Sequence, residues 1–151
     1  MTSAKIRLLL LVLMLISLLL LPPALSAQCE PSPAMGLGTH YKEITTCRTD
    51  IGSGLVVTGR VLSAADCTPV AGARINHWQA DSKGKYVDRL RACLYSDDEG
   101  RFRFETEWPG TPVPHIHIIV TAAGYRKLVT QWVGTEQVDR IMLDFVLVPA
   151  D

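Results

Sequence analysis

Arg101-Phe102-Arg103-Phe104-Glu105 and, further on, His115-Ile116-His117-Ile118-Ile119-Val120 are the two runs from which the fold can be read. Side chains alternate faces along a β-strand, so Phe102 and Phe104 share one side, as do Ile116, Ile118 and Val120. Each run therefore offers one apolar face to a core. Working outward, Asp97, Asp98 and Gly100 supply a turn before the first run. Lys127 to Trp132 follows the second across Ala122 to Arg126, where Gly124 can take a positive φ, and the three segments predict a hairpin. Leu55 to Leu62 and Ala73 to Gln79 are two earlier strands, joined by a turn at Asp66 to Pro69 with Gly72, and Arg140 to Val148 is the last.

No long stretch has helical periodicity, so the predicted class is all-β: a single β-sandwich of mostly antiparallel strands over residues 28–151. Two segments fall outside the strand pattern. Residues 28–54, rich in Pro, Gly, Ser and Thr, read as an irregular arm tied down by Cys29 and Cys47. Asp81 to Ala92, polar and containing Gly84, reads as a long surface loop, the kind of segment on which function tends to sit.

A chain of 151 residues suits one domain. Fifteen basic and fifteen acidic residues cancel, which leaves no strong field to hold nucleic acid or an anionic membrane surface. At the N-terminus, Lys5 and Arg7 precede the apolar run Leu8 to Leu21, which Pro22 and Pro23 end, and small residues follow at Ala24, Ser26 and Ala27. Residues 1–27 are therefore expected to be a cleaved export signal, because a membrane span would want about 20 apolar residues. The expected location is periplasmic or secreted, with no stable membrane span after cleavage. Four cysteines remain in the mature part, Cys29, Cys47, Cys67 and Cys93, and an even number in an exported chain predicts two disulfides among three possible pairings. No Cys-x-x-Cys pair supports a thiolate zinc site.

The chemistry lies in the second run. With Ile116, Ile118 and Val120 turned inward, His115 and His117 emerge together on the opposite face. Their Cβ atoms should lie about 7 Å apart, a spacing from which two ring nitrogens can converge on one metal ion. Solvent-facing histidines on a half-exposed strand would look the same.

Context separates the two. Gly59-Arg60-Val61-Leu62, Pro69-Val70-Ala71-Gly72-Ala73-Arg74, Trp78-Gln79-Ala80-Asp81, Gly84-Lys85-Tyr86, Asp98-Glu99-Gly100-Arg101-Phe102, Phe104-Glu105-Thr106, Trp108-Pro109-Gly110, Pro114-His115-Ile116-His117 and Thr130-Gln131 stand in this order. The series resembles the intradiol ring-cleavage dioxygenases, in the short exported branch, over residues 29–132. The resemblance implies a ferric ion held by His115, His117 and the phenolate of Tyr86, with Gln131 beside the substrate. It also implies dioxygen and a small catechol-type aromatic as partners, and cleavage between the two hydroxyl-bearing carbons. A phenolate is a hard anionic donor that suits a trivalent ion.

One departure falls in the site. The family's second tyrosinate, after the Pro-Gly turn, and its substrate-binding Arg before the histidines are both missing from the shorter Thr111-Pro112-Val113-Pro114. In the family that tyrosine accepts a substrate proton. Tyr41, His77, Tyr95 and Glu107 are the candidate replacements, although His77 reads better as an interior residue. Two further readings use the same residues. A non-enzymatic sandwich module of the transthyretin-like or carboxypeptidase-regulatory kind would explain Gly59 to Ala73 and Asp98 to Phe104 but not the histidines or Tyr86. A periplasmic copper or zinc binder would use His115 and His117 without turnover.

Overall fold

The computed structural model describes residues 29–151, so the expected export signal lies outside the described residues. Among the described residues, eight strands form two four-stranded sheets. They are β1 (Leu55–Ser63), β2 (Arg74–Ala80), β3 (Tyr86–Tyr95), β4 (Arg101–Thr106), β5 (His115–Thr121), β6 (Leu128–Val133), β7 (Arg140–Met142) and β8 (Phe145–Leu147). One sheet has the order β4-β1-β7, with β8 also paired to β1, and the other has the order β3-β2-β5-β6. Among the described residues there is no α-helix.

The two runs that suggested the fold supply facing layers of one core. Phe102 and Phe104 from β4 join Leu55, Val57 and Val61 from β1, and they pack against Ile75 of β2 and Ile116, Ile118 and Val120 of β5. Each of these side chains, once fully buried, contributes roughly 1.5–3 kcal/mol. The predicted hairpin is present, with β5 and β6 antiparallel and Gly124 at φ 78° between them.

Two expectations need correction. Asp81 to Ala92 is not one long loop: only the stretch before Tyr86 is a turn, and the remainder belongs to the edge strand β3. Its ladder with β2 is regular from Arg74–Tyr95 to Trp78–Arg91 and then shifts before Ala80–Tyr86. That shift lets Asp88 and Arg89 stay exposed while Leu90, Ala92 and Leu94 are buried. The charge at the edge disguised a period-two pattern. The second correction concerns Arg140 to Val148, which is two short strands and not one. Both run parallel to β1, and the break falls where Leu143 passes over Gly59. A Cβ on Gly59 would stand 1.7 Å from the Leu143 carbonyl oxygen, so only glycine admits the crossing. Asp144 then takes the Arg60 amide at 2.9 Å.

The arm, residues 29–54, is irregular as expected, and both disulfides form, Cys29–Cys67 and Cys47–Cys93. It crosses the outer face of the β3-β2-β5-β6 sheet. Met35 donates to Val129 of β6, Cys93 of β3 donates to Thr46, and Glu105 of β4 donates to Thr49. Ile44 thereby closes a small second core over Trp78, Cys93 and Ile119.

Candidate metal centre

The site grows from three neighbouring strands. On β5 the alternation turns His115 and His117 away from the core, towards the arm. On β2, Trp78 is the cross-strand partner of His117, and on the other side of β5 Gln131 of β6 is its partner, so the three side chains share a face. Trp78 stacks on the His117 ring with centroids 4.8 Å apart.

Tyr86 arrives through a turn that its own sequence builds. The Asp81 carboxylate accepts the Lys83 and Lys85 amides at 2.9 and 2.8 Å, and Gly84 takes φ 78°. Those amide bonds, Lys85's foremost, hold the Asp81 carboxyl below its ordinary value. The Asp81 and Gly84 of the sequence motif thus set the turn, and β3 begins with Tyr86 opposite Ala80. One step past the Gln79–Ile116 pair, Ala80 also faces His115. A methyl group there leaves room for phenol and imidazole to meet over it.

They do meet. The Tyr86 hydroxyl lies 2.8 Å from His115 Nε2 and 3.0 Å from His117 Nε2. His115 Nδ1 lies 2.7 Å from the Val113 carbonyl oxygen, which can only accept. Nδ1 therefore carries the proton, and the Nε2 lone pair points into the site. Burial, aided by the neighbouring His115 and His40, pushes His117 down to about 4, so its ring is neutral at ordinary pH. Burial pushes the Tyr86 phenol up from its ordinary value. The phenol carries one proton and so can donate to only one of the two facing nitrogens. Two ring nitrogens, each within 3.0 Å of one phenolic oxygen, with the Val113 carbonyl keeping the His115 Nε2 lone pair inward, form a donor set that fits a metal ion.

The sequence-predicted residues divide clearly. Tyr86, His115 and His117 are brought together, and Gln131 stands half-buried on the same face. Of the four candidate replacements, three lie away from the site or are engaged elsewhere. His77 lies in the sandwich interior, fully buried and stacked on Phe104 at 3.9 Å, and burial pushes it down to about 3. Tyr95 is exposed at the far end of β3, opposite Arg74. Glu107 pairs with Arg89 and accepts the Ser82 amide. Tyr41 remains on the site's face, edge-on to Trp78 at 5.3 Å.

Sequence reading missed His40. Its ring stacks on Tyr86 with centroids 4.3 Å apart and planes 19° apart. It sits in the irregular arm, where no periodicity marks which residues face the sheet.

Comparison with known proteins gives a consistent result. A family model described as "Dioxygenase" matches residues 36–114. A hydroxyquinol 1,2-dioxygenase from Rhizobium sp. (strain MTP-10005) is 31% identical over 129 residues, covering 66% of this chain and 42% of the relative. The chain spans about two fifths of the length of the curated relatives it matches. Among solved structures, the dioxygenase domain of a dioxygenase carbohydrate-binding protein fusion from Streptomyces sp. SirexAA-E matches at TM-score 0.71 and 26% identity, covering 80% of this chain and all of that one. An intradiol ring-cleavage dioxygenase from Tetranychus urticae matches at TM-score 0.61 and 30% identity over 68% of this chain and 64% of its own.

Proposed function

The chain belongs to the intradiol ring-cleavage dioxygenase family, and from that premise we propose that it binds ferric iron through Tyr86, His115 and His117 and cleaves catechol-type aromatics. The observation that carries the proposal is the Tyr86 hydroxyl within 3.0 Å of both imidazole nitrogens. A sandwich module with only structural duties has no use for that convergence. Bound there, ferric iron supplies Lewis acidity and redox capacity for the reaction of a catechol with dioxygen.

The chain's own residues do the rest. Tyr86, as phenolate, offers a hard anionic oxygen, and the two imidazoles offer neutral nitrogen. Trp78 fixes the His117 ring by stacking, and the Val113 carbonyl fixes the His115 tautomer. Gln131, the β6 partner of His117, would hydrogen-bond a substrate oxygen from that side. Both atoms of dioxygen enter a muconate-type diacid, so the net reaction needs no outside reductant. Export to the periplasm or medium, as the N-terminal sequence leads one to expect, would expose the enzyme to environmental aromatics.

Metal analysis and a visible spectrum of the purified protein, before and after catechol, test the proposal. Bound iron should give a phenolate charge-transfer band that shifts with catechol and disappears in Tyr86→Phe. Colourless protein without iron, after loading with ferric salt, would refute it. A zinc site without turnover would show metal but no such band, and the metal analysis would tell copper from iron.

A further inference from the structure

We propose that His40 is a positioning residue for Tyr86, and that residues 38–41 of the arm close the metal face where the Pro109-Gly110 loop is too short to do so. The proposal rests on the reading of Tyr86, His115 and His117 as a metal site.

Four contacts carry it, each from a successive residue of the arm. Gly38 packs so closely on His117 that a Cβ there would lie 2.2 Å from its Cε1 and Nδ1. The Thr39 carbonyl accepts the Trp78 indole N–H at 3.2 Å, and Trp78 stacks on His117. The His40 ring lies nearly parallel over Tyr86, and Tyr41 meets Trp78 edge-on. His117, Trp78 and Tyr86 are thus each touched by this short segment.

His40 reaches its place at a conformational cost. Its φ is 62°, the left-handed region that non-glycine residues seldom adopt. The Arg91 guanidinium, itself buried, holds it there by donating to the His40 carbonyl at 2.6 Å. Strain of this kind persists only where the surroundings enforce it, and it gathers at functional sites. Here its product is a flat ring set over a phenol whose hydroxyl must point at two imidazoles. Tyr86 is only half-buried even with that ring in place and leans on the small second core, so the His40 stack is what limits its swing away from them.

The test uses the oxidised full chain and its variants His40→Ala, His40→Gly and His40→Phe. Chelator competition gives the affinity for Fe(III) and separately for Zn(II). Tyrosine-ring NMR of the metal-free protein, with the Tyr86 signal identified through Tyr86→Phe, reads the stack directly. Both affinities should fall about 10- to 100-fold in His40→Ala, the range usual for residues that orient metal ligands. In His40→Phe they should recover to within about threefold, because the stack needs a ring and not a nitrogen. His40→Gly should lose affinity as His40→Ala does, yet unfold at or above the wild-type temperature, since glycine tolerates the positive φ. A residue with only a structural role would move both together. The Tyr86 signal should lie upfield in wild type and His40→Phe and move towards the exposed position in the other two. Unchanged affinities and an unchanged Tyr86 signal in His40→Ala would overturn the proposal. A wild type that takes up neither ion would sink the metal reading, while the Tyr86 signal would still decide whether His40 positions the phenol.

Discussion

Replacing Gly38 by alanine should weaken metal binding at the proposed site while leaving the sandwich folded. The new Cβ would fall 2.2 Å from Cε1 and Nδ1 of His117, where ordinary contact begins at 3.4 Å. Something must therefore move by about 1.2 Å or more. Trp78 is stacked on the imidazole and restricts its retreat. If the ring moves, Nε2 leaves its place by several times the roughly 0.2 Å that metal–ligand distances tolerate. If the arm moves, it takes the Thr39 carbonyl from Trp78 and the His40 ring from Tyr86. Either way the Fe(III) or Zn(II) affinity, measured by chelator competition, should drop at least about tenfold. Overpacking of this size costs about 1–3 kcal/mol, and the unfolding midpoint should fall by roughly 3–10 °C in a thermal melt. Gly36→Ala is the control, because nothing lies within 4 Å of a Cβ there. If Gly38→Ala binds metal as tightly as Gly36→Ala and wild type, the packing of the arm on His117 is not what the structure shows.

Further outcomes follow from other contacts. Ala80→Leu would fill the space over which Tyr86 and His115 meet, so metal binding should fall at least about tenfold with the fold retained; a variant that still loads fully would contradict that geometry. His77 is buried neutral, its value pushed down to about 3 from 6.5, so the unfolded chain binds the extra proton between those values. That stability is fully present above pH 6.5 and is lost as pH falls, at up to about 1.4 kcal/mol per pH unit. Urea unfolding across this window should show that slope in wild type relative to His77→Phe, and parallel curves would dispose of the argument. The Cys47–Cys93 bridge closes a separation of 46 residues, so the double serine variant should lose about 4 kcal/mol in the same assay, and a loss under 1 kcal/mol would show that other contacts already hold the arm.

Much of this molecule was legible before its structure. The strands β1, β4 and β6 follow from simple alternation, since one face of each is more buried than the other, whereas β2 and β5 alternate in sequence but are buried on both faces, with Ile44 of the arm over Trp78 and Ile119. The pairing of His115 with His117 is a consequence of the same period. Tyr86 was reachable only through resemblance, because nothing local says that a residue after a Gly84 turn will cross to β5. Strand β3 was hidden because its ladder shifts at the edge, where Asp88 and Arg89 face solvent and break the apolar pattern. His40 was hidden more deeply. Its position is fixed by Arg91, by two disulfides and by single hydrogen bonds to distant strands, and such anchors leave no repeating trace in a sequence.

The crossing of the arm also bears on the order of assembly. The arm has few ladder bonds of its own, and the Cys47–Cys93 bond fastens it to β3 shortly after residues 38–41 have passed over the imidazoles. A freshly folded chain with free thiols would carry its three donors on an unroofed sheet, ready to trade ions with any competitor. Oxidation would then act as a ratchet, and any ion taken up by those three side chains would leave more slowly once sulfur chemistry had sealed the roof.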